Sequence, residues 1–248
     1  MARKILVLDP GHGGRDPGAI GHGLLEKDIT LKLAQIIANG LANYDVTVRL
    51  TREGDIFLSL DDRAAFANKL GADYFLSIHV NAGGGTGFES FIYNGPISSN
   101  TSSLRSIIHQ NIVKFLKGLG IADRGEKRAN FAVLRETTMP ACLLEILFID
   151  SEKDAIYLKD TAFMKGIGDA IIAGVVQSLK LPAKTSPTPT PTPKPTQPPT
   201  PIWNPQAEVQ KLIDAGIIVN DHPADAPVTW GEFATVLNRI LNKMKQES

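Results

Sequence analysis

Over roughly the first 180 residues the hydrophobic pattern changes period again and again. Ile5-Leu6-Val7-Leu8 is a compact apolar run closed by Asp9-Pro10-Gly11, which predicts a buried strand. Ile29, Leu33, Ile36, Ile37 and Leu41 then recur at helical spacing, predicting a helix over residues 26–43 with one buried face. Val46-Thr47-Val48-Arg49-Leu50 returns to strand character. Ser59 with Asp62 three residues on reads as a capping box, with Asp in place of the usual Glu or Gln, and opens a helix to about Leu70. Further strands are predicted at 74–80, 88–93, 131–134 and 142–149. Helices are predicted under the stripe Leu104, Ile107, Ile108, Ile112, Phe115 and Leu116, and over 162–179. Strands alternating with helices of this length predict an α/β fold with crossover helices on both faces of a sheet.

The periodicity then stops. Residues 187–201 hold 8 prolines in 15 positions, a composition that cannot join a helix or a sheet interior and favours the extended polyproline conformation. Such a spacer reaches about 45 Å. Beyond it, Val209, Leu212, Ile213 and Ile217 predict a short helix stopped near Gly216. Thr229 and Glu232 form a capping box, with Val228 and Phe233 as a hydrophobic staple, before a second helix through Val236, Leu237, Ile240 and Leu241. The chain thus reads as a main domain at 1–181, a Pro/Thr-rich linker at 182–202 and a small helical domain at 203–248. The last is too short to bury a strong core alone, so it is expected to self-associate, to dock, or to be marginally stable.

Composition narrows the class. The chain is 43% hydrophobic and 21% charged, as a globular protein is and a disordered one is not. Its 26 basic and 26 acidic residues are balanced, and no basic run supports nucleic-acid binding. One cysteine, Cys142, excludes internal disulfides and a Cys-rich zinc module. No uninterrupted apolar stretch approaches the length of a membrane span, and the first residues lack the core of a signal peptide. The expectation is a protein made in the cytoplasm.

Four positions carry candidate chemistry. His12 lies in the glycine-rich loop Asp9-Pro10-Gly11-His12-Gly13-Gly14, where open α/β sheets build their sites; a plain turn is the bland alternative, and a phosphate loop would need a lysine that is absent. His79 ends an apolar strand and must satisfy both ring nitrogens, through a metal or through hydrogen bonds. Glu26 opens a helix, where an acid is favourable in any case. Glu145 interrupts Cys142-Leu143-Leu144-Glu145-Ile146-Leu147, and a lone carboxylate there costs several kcal/mol unless it is paired, protonated or near a metal. Arg135 is the candidate ion-pair partner. Two histidines and one carboxylate leave a fourth zinc position open, as catalytic sites do, and Glu145 would be the non-ligand base. His22, His109 and His222 read as solvent-facing.

These residues stand in motifs that resemble the zinc-dependent N-acetylmuramoyl-L-alanine amidases of the Amidase_3 type, found in phage endolysins and bacterial autolysins. The matching positions are Asp9 to Gly14, Glu26-Lys27, Thr51-Arg52 with Asp55, Leu60-x-x-Arg63-x-x-x-Ala67-Asn68, Ser77 to Ala82, Asn130-Phe131-x-Val133-Leu134-Arg135, and Pro140 followed by Leu144-Glu145. The resemblance implies a six-stranded, mostly parallel sheet flanked by helices, one zinc ion held by His12, Glu26 and His79, and Glu145 as the acid/base. It implies cleavage of the amide between N-acetylmuramic acid and L-alanine in peptidoglycan. Asn81 and Arg63 are expected to contact substrate or to orient the ligands. A zinc peptidase cutting within the stem peptide, or an inactive wall-binding protein, would keep the same frame. Where the family commonly has Gly-Phe-x-Ser-Asn after the acid, this chain has Leu147-Phe148-Ile149-Asp150-Ser151, which alters the rim. The tail faintly resembles a single S-layer-homology unit, which implies binding to the cell wall. Without a signal sequence, the protein is expected to reach the wall through a holin-type pore or on cell lysis.

Overall fold

In the computed structural model, residues 3–184, 205–218 and 230–246 are described. The first unit alternates β1 (Lys4–Pro10), the short hairpin β2 (Ile20–Gly21) and β3 (Leu24–Leu25), α1 (Glu26–Leu41), β4 (Val46–Leu50), α2 (Leu60–Lys69), β5 (Tyr74–Asn81), β6 (Phe88–Tyr93), α3 (Thr101–Lys117), β7 (Asp123–Ala129), α4 (Ala132–Arg135), β8 (Ala141–Phe148), α5 (Glu152–Lys159) and α6 (Thr161–Leu179). Six of the strands form one sheet in the order β4-β1-β5-β8-β6-β7, every pairing parallel except β6 with β8. The exception has a local cause. Only residues 82–87 join β5 to β6, too few for a crossover helix, so β6 starts at the carboxyl end of the sheet and runs back.

Helices cover both faces. Leu33 and Ile37 of α1, Ile108 and Ile112 of α3, and Ile167 and Ile171 of α6 pack on one face against Leu6, Leu8, Leu76 and Leu144. α6 is long and apolar enough to cross a bilayer by composition, but 61% of its apolar window is buried here and it serves as a core helix. The other face holds a smaller core, where Val133 and Leu134 of α4 and Ala67 of α2 meet Val7, Phe75 and Leu143.

That second face positions the site. Strand side chains alternate between faces, so each strand contributes every second residue to it. Reading along the strands, Val7 gives way to Asp9 and Phe75 to Ser77, His79 and Asn81, while Ala141 and Leu143 give way to Glu145. The register aligns Asp9 with Ser77, His79 with Glu145, and Glu145 with Glu89. Apolar residues under α2 and α4 thus turn polar at the carboxyl ends, where those helices no longer cover the sheet.

The structure adds the hairpin β2–β3 and the helix α5 to the predicted elements and departs from the sequence reading elsewhere. Residues 131–134 are not a strand: Phe131 caps the single turn α4 and packs edge-on against Phe91 with ring centroids 5.2 Å apart. The strand is instead β7, whose sequence Asp-Arg-Gly-Glu-Lys-Arg-Ala has no apolar alternation because it is the sheet edge. His109 is buried, 1% exposed, because α3 lays Arg105, His109 and Val113 against β6 and β7, where His109 bonds Ser90 at 2.8 Å and Asp123 at 3.0 Å. His22 is exposed, and its ring lies 3.3 Å from the Asp150 carbonyl.

The chain divides into two units between Thr185 and Ser186. The second contains α7 (Pro205–Asp214) and α8 (Trp230–Gln246), with Arg239 donating to the Ile217 carbonyl at 2.9 Å. His222 and the capping residue Thr229 lie outside the described residues, as does the proline-rich stretch.

Asp154 ties the glycine-rich 82–87 connection to the end of β8. Its buried carboxylate accepts from Thr86 Oγ1 at 2.6 Å and from the backbone N–H groups of Gly87 and Phe148, both at 3.0 Å. Asp154→Ala strands two buried donors and should lower unfolding free energy by about 3 kcal/mol in urea denaturation at neutral pH.

Candidate active site

The loop that follows β1 has no strand partner for its carbonyls, and buried side chains supply the donors. Arg52 Nε and Arg63 Nη1 reach the Pro10 carbonyl at 3.0 and 2.8 Å. Arg52 Nη2 and Thr30 Oγ1 both reach the Gly11 carbonyl at 2.9 Å, and Arg63 Nη2 reaches that of His12 at 2.7 Å. Beneath them Asp9 is fully buried and accepts from Thr51 and Ser77 hydroxyls at 2.7 Å and from Arg63 at 2.9 Å. Asp55 closes the outer side, accepting from the Gly14 N–H at 2.7 Å and pairing with Lys27 at 2.8 Å. Arg63 is therefore turned inward, 3% exposed, and holds the loop rather than facing a ligand.

So fixed, the loop carries His12 in a left-handed conformation, φ 61°. Two glycines make room for the ring partners. A Cβ on Gly11 would fall 2.3 Å from His79 Cε1, and one on Gly18 would fall 2.6 Å from Glu26 Oε2 and 2.7 Å from His12 Cδ2. A tight turn bridges Gly13 and Asp16 and returns the Asp16 carboxylate to His12 Nδ1 at 2.9 Å.

His12, Glu26 and His79 converge, with one donor atom from each lying within 4.8 Å of the others. Glu26 Oε1 sits 3.2 Å from His12 Nε2 and 3.0 Å from His79 Nδ1. Backbone N–H groups fix the carboxylate from both sides, Val80 on Oε1 at 2.9 Å and Ala19 on Oε2 at 2.8 Å. Burial works to raise the Glu26 pKa, but the two imidazoles hold it well below the usual carboxylate range. His12 is raised despite its own burial, because Glu26 and Asp16 favour the cation.

Glu145 lies beside this cluster in register with His79, and its Oε2 is buried without a hydrogen-bond partner among the described residues. Arg135 does not pair with it; that guanidinium is spent on Glu136 and Asn130. Burial pushes the Glu145 carboxyl up to about 7; Glu26 and Glu89 push the same way, and His79 opposes them. Asn81 does not face the cluster with its amide: Nδ2 donates to Glu89 at 2.7 Å. Glu89 is 4% exposed and also takes Arg124 at 2.8 Å and Lys127.

Asp16, Glu89, Arg124 and Lys127 join the site without having been expected there. Glu89 carried the same signal as Glu145, an acid within an apolar strand, in Phe88-Glu89-Ser90-Phe91. The two cations lie on an edge strand whose pattern hid the strand itself. Asp16 sits in a loop with no periodicity to place it.

Two imidazoles and a carboxylate around a common point suit a borderline divalent ion, and a buried unpaired carboxyl next to them suits proton transfer. The model of the family described as N-acetylmuramoyl-L-alanine amidase matches residues 6–177. The sporulation-specific N-acetylmuramoyl-L-alanine amidase of Bacillus subtilis is 47% identical over 183 residues, covering 73% of this chain and 70% of that protein. The endolysin of Bacillus phage SPP1 is 44% identical over 185 residues, covering 73% and 68%. Among solved structures, an N-acetylmuramoyl-L-alanine amidase from Clostridium difficile 630 superposes with a TM-score of 0.68 at 33% identity, covering 71% of this chain and 97% of that one. The chain belongs to the Amidase_3 family of N-acetylmuramoyl-L-alanine amidases, enzymes that degrade peptidoglycan.

Proposed function

We propose that His12, Glu26 and His79 hold one zinc ion and that Glu145 is the acid/base for cleavage of the amide between N-acetylmuramic acid and L-alanine. The observation that carries this reading is the unpartnered Glu145 Oε2, buried in the same row as His79. The donor set fits the ion: three N/O ligands leave a position open, and the Asp16 bond to His12 Nδ1 fixes Nε2 as the ligand atom. When bound, such an ion supplies Lewis-acid polarisation of the scissile carbonyl and acidifies a water at the open position.

The chain's own residues do the rest. Ionised Glu145 takes a proton from the attacking water, keeps it in a pocket that favours the neutral carboxyl, and delivers it to the leaving amide nitrogen. Two acids thus take different roles by environment: hydrogen bonds keep Glu26 ionised as a ligand, and burial lets Glu145 exchange its proton. Asn81 and Arg63 act behind this set, Asn81 by fixing Glu89 and Arg63 by fixing the His12 loop.

For the second unit we infer a role in cell-wall binding or self-association, and for the whole chain action on the wall after release through a holin-type pore or lysis. Deletion after Pro201 should abolish pull-down by purified walls while leaving hydrolysis of soluble muropeptides intact.

Glu145→Gln should retain one zinc per chain by elemental analysis yet lose about 10³-fold or more of the release of L-alanine amines from digested wall. New internal amines in place of L-alanine amines would identify a stem-peptide peptidase instead. In the wild type, hydrolysis should fall as pH drops through the Glu145 value, which lies at about 7 without the ion and lower beside it. The zinc-free protein gives the opposite sign. A carboxyl raised on folding contributes its stability at low pH and loses it as pH rises through about 7, so Glu145→Gln should stabilise by on the order of 3 kcal/mol at pH 8 and leave stability unchanged at pH 4. Gly11→Ala should displace the His79 ring and take bound zinc well below one per chain, as read by elemental analysis.

A further inference from the structure

The amidase reading fixes how a substrate must lie. Glu145 has to reach the leaving nitrogen, and β8 is flanked by β5 with its ligand His79 on one side and by β6 and β7 on the other. On that reading the acyl half would lie over the ligand cluster and the departing peptide over β6 and β7.

The surface on that side is built for an anion. Glu89 is a single buried carboxylate neutralised twice, since Arg124 Nε and Lys127 Nζ both donate to its Oε2. The cluster therefore carries one positive charge in excess, and the two cationic side chains remain 36% and 38% exposed. Arg124 is also held in place by the Phe148 ring, with its guanidinium carbon 4.7 Å from the centroid. With Nε on Glu89, neither of its η nitrogens has a hydrogen-bond partner among the described residues. A guanidinium fixed by one nitrogen and one face presents its remaining edge as a two-point receptor for a carboxylate. Of the acids nearby, Glu126 pairs with Arg105 at 2.9 Å, while Asp123 is bonded by His109 at 3.0 Å and by the Gly125 N–H at 2.7 Å but keeps its charge, because burial lowers the His109 pKa.

We propose that Arg124, supported by Lys127, binds the first free carboxylate of the departing stem peptide, so that the protein favours stem peptides bearing a free acid over those in which it is amidated. The proposal rests on the amidase reading. Across the ligand cluster the comparable exposed cation is Arg15, stacked on Phe57 at 4.2 Å, and it serves as the control.

The test compares L-Ala-γ-D-Glu-L-Lys with its D-isoglutamine counterpart, each as the free peptide and joined to the muramoyl group. Wild-type protein should bind the acid peptide about tenfold more tightly in calorimetry, a preference that shrinks as salt is raised. With muramoyl substrates, Arg124→Gln should raise KM for the acid form about tenfold with kcat within about twofold, and should leave the amidated form unchanged. Lys127→Gln should act in the same direction, and Arg15→Gln should not distinguish the two. Equal wild-type binding of the two free peptides, or an Arg124→Gln effect of equal size on both substrates, would overturn the subsite. Absence of turnover by zinc-loaded wild type on both substrates would instead refute the amidase reading, and the peptide titration would still decide the subsite.

Discussion

Three consecutive carbonyls, those of Pro10, Gly11 and His12, leave the end of β1 with no neighbouring strand to receive them. Everything at the site depends on how that deficit is met. Two buried guanidiniums, from Arg52 and Arg63, meet it with a fan of donors that no neutral side chain could match, and Asp9 beneath them balances the charge. Breaking a buried pair such as Asp9–Arg63 typically costs about 3–5 kcal/mol, because the survivor is left charged and dry. The same fan sets the position of His12. Motif residues with no chemistry of their own, Thr51, Arg52, Asp55 and Arg63, thus serve geometry: they hold a strained histidine where a helix and a second strand can bring Glu26 and His79 to it.

Two carboxylates within one small volume are held at opposite ends, Glu26 kept ionised and Glu145 pushed toward the neutral form. Glu26 opens α1 against the end of β5, where the N–H groups of Val80 and Ala19 point at its oxygens. Glu145 sits inside a strand whose backbone is consumed by its neighbours β5 and β6, so nothing comparable reaches its side chain. Hydrogen bonds from the two imidazoles, which Glu26 has and Glu145 lacks, set the two carboxyls apart.

Much of this was legible in the sequence because the relevant signals were contrasts. An acid amid Leu143, Leu144, Ile146 and Leu147, and a histidine ending Leu76-Ser77-Ile78, stand out against an apolar background. The main helices and central strands were legible for the same reason, since burial on a packed face imposes a period. What escaped lacked that contrast. β7 meets solvent along its edge and has no buried face to impose alternation. The run Phe131 to Leu134 is too short to separate strand from turn of helix, and only its packing on Phe91 decides it. His109 looked exposed because it lies beside the apolar stripe of α3, yet a second, polar stripe of that helix is buried against Ser90 and Asp123.

One irregularity in β8 has a consequence for how this enzyme can change. Between the pairs His79 with Glu145 and Asn81 with Phe148, β8 spends one residue more than β5, and Leu147 takes up the excess at φ 63°. Both Ile146 and Leu147 drop into the large core. The parity of the strand is thereby reset, and Phe148 is buried on the same side as Glu145, beneath Arg124. The spacing between the acid and its aromatic neighbour is therefore a counted quantity. Point substitutions leave the count alone, but losing a single codon here would swap inside for outside from that position onward, so drift in length should be far rarer at this spot than drift in residue type.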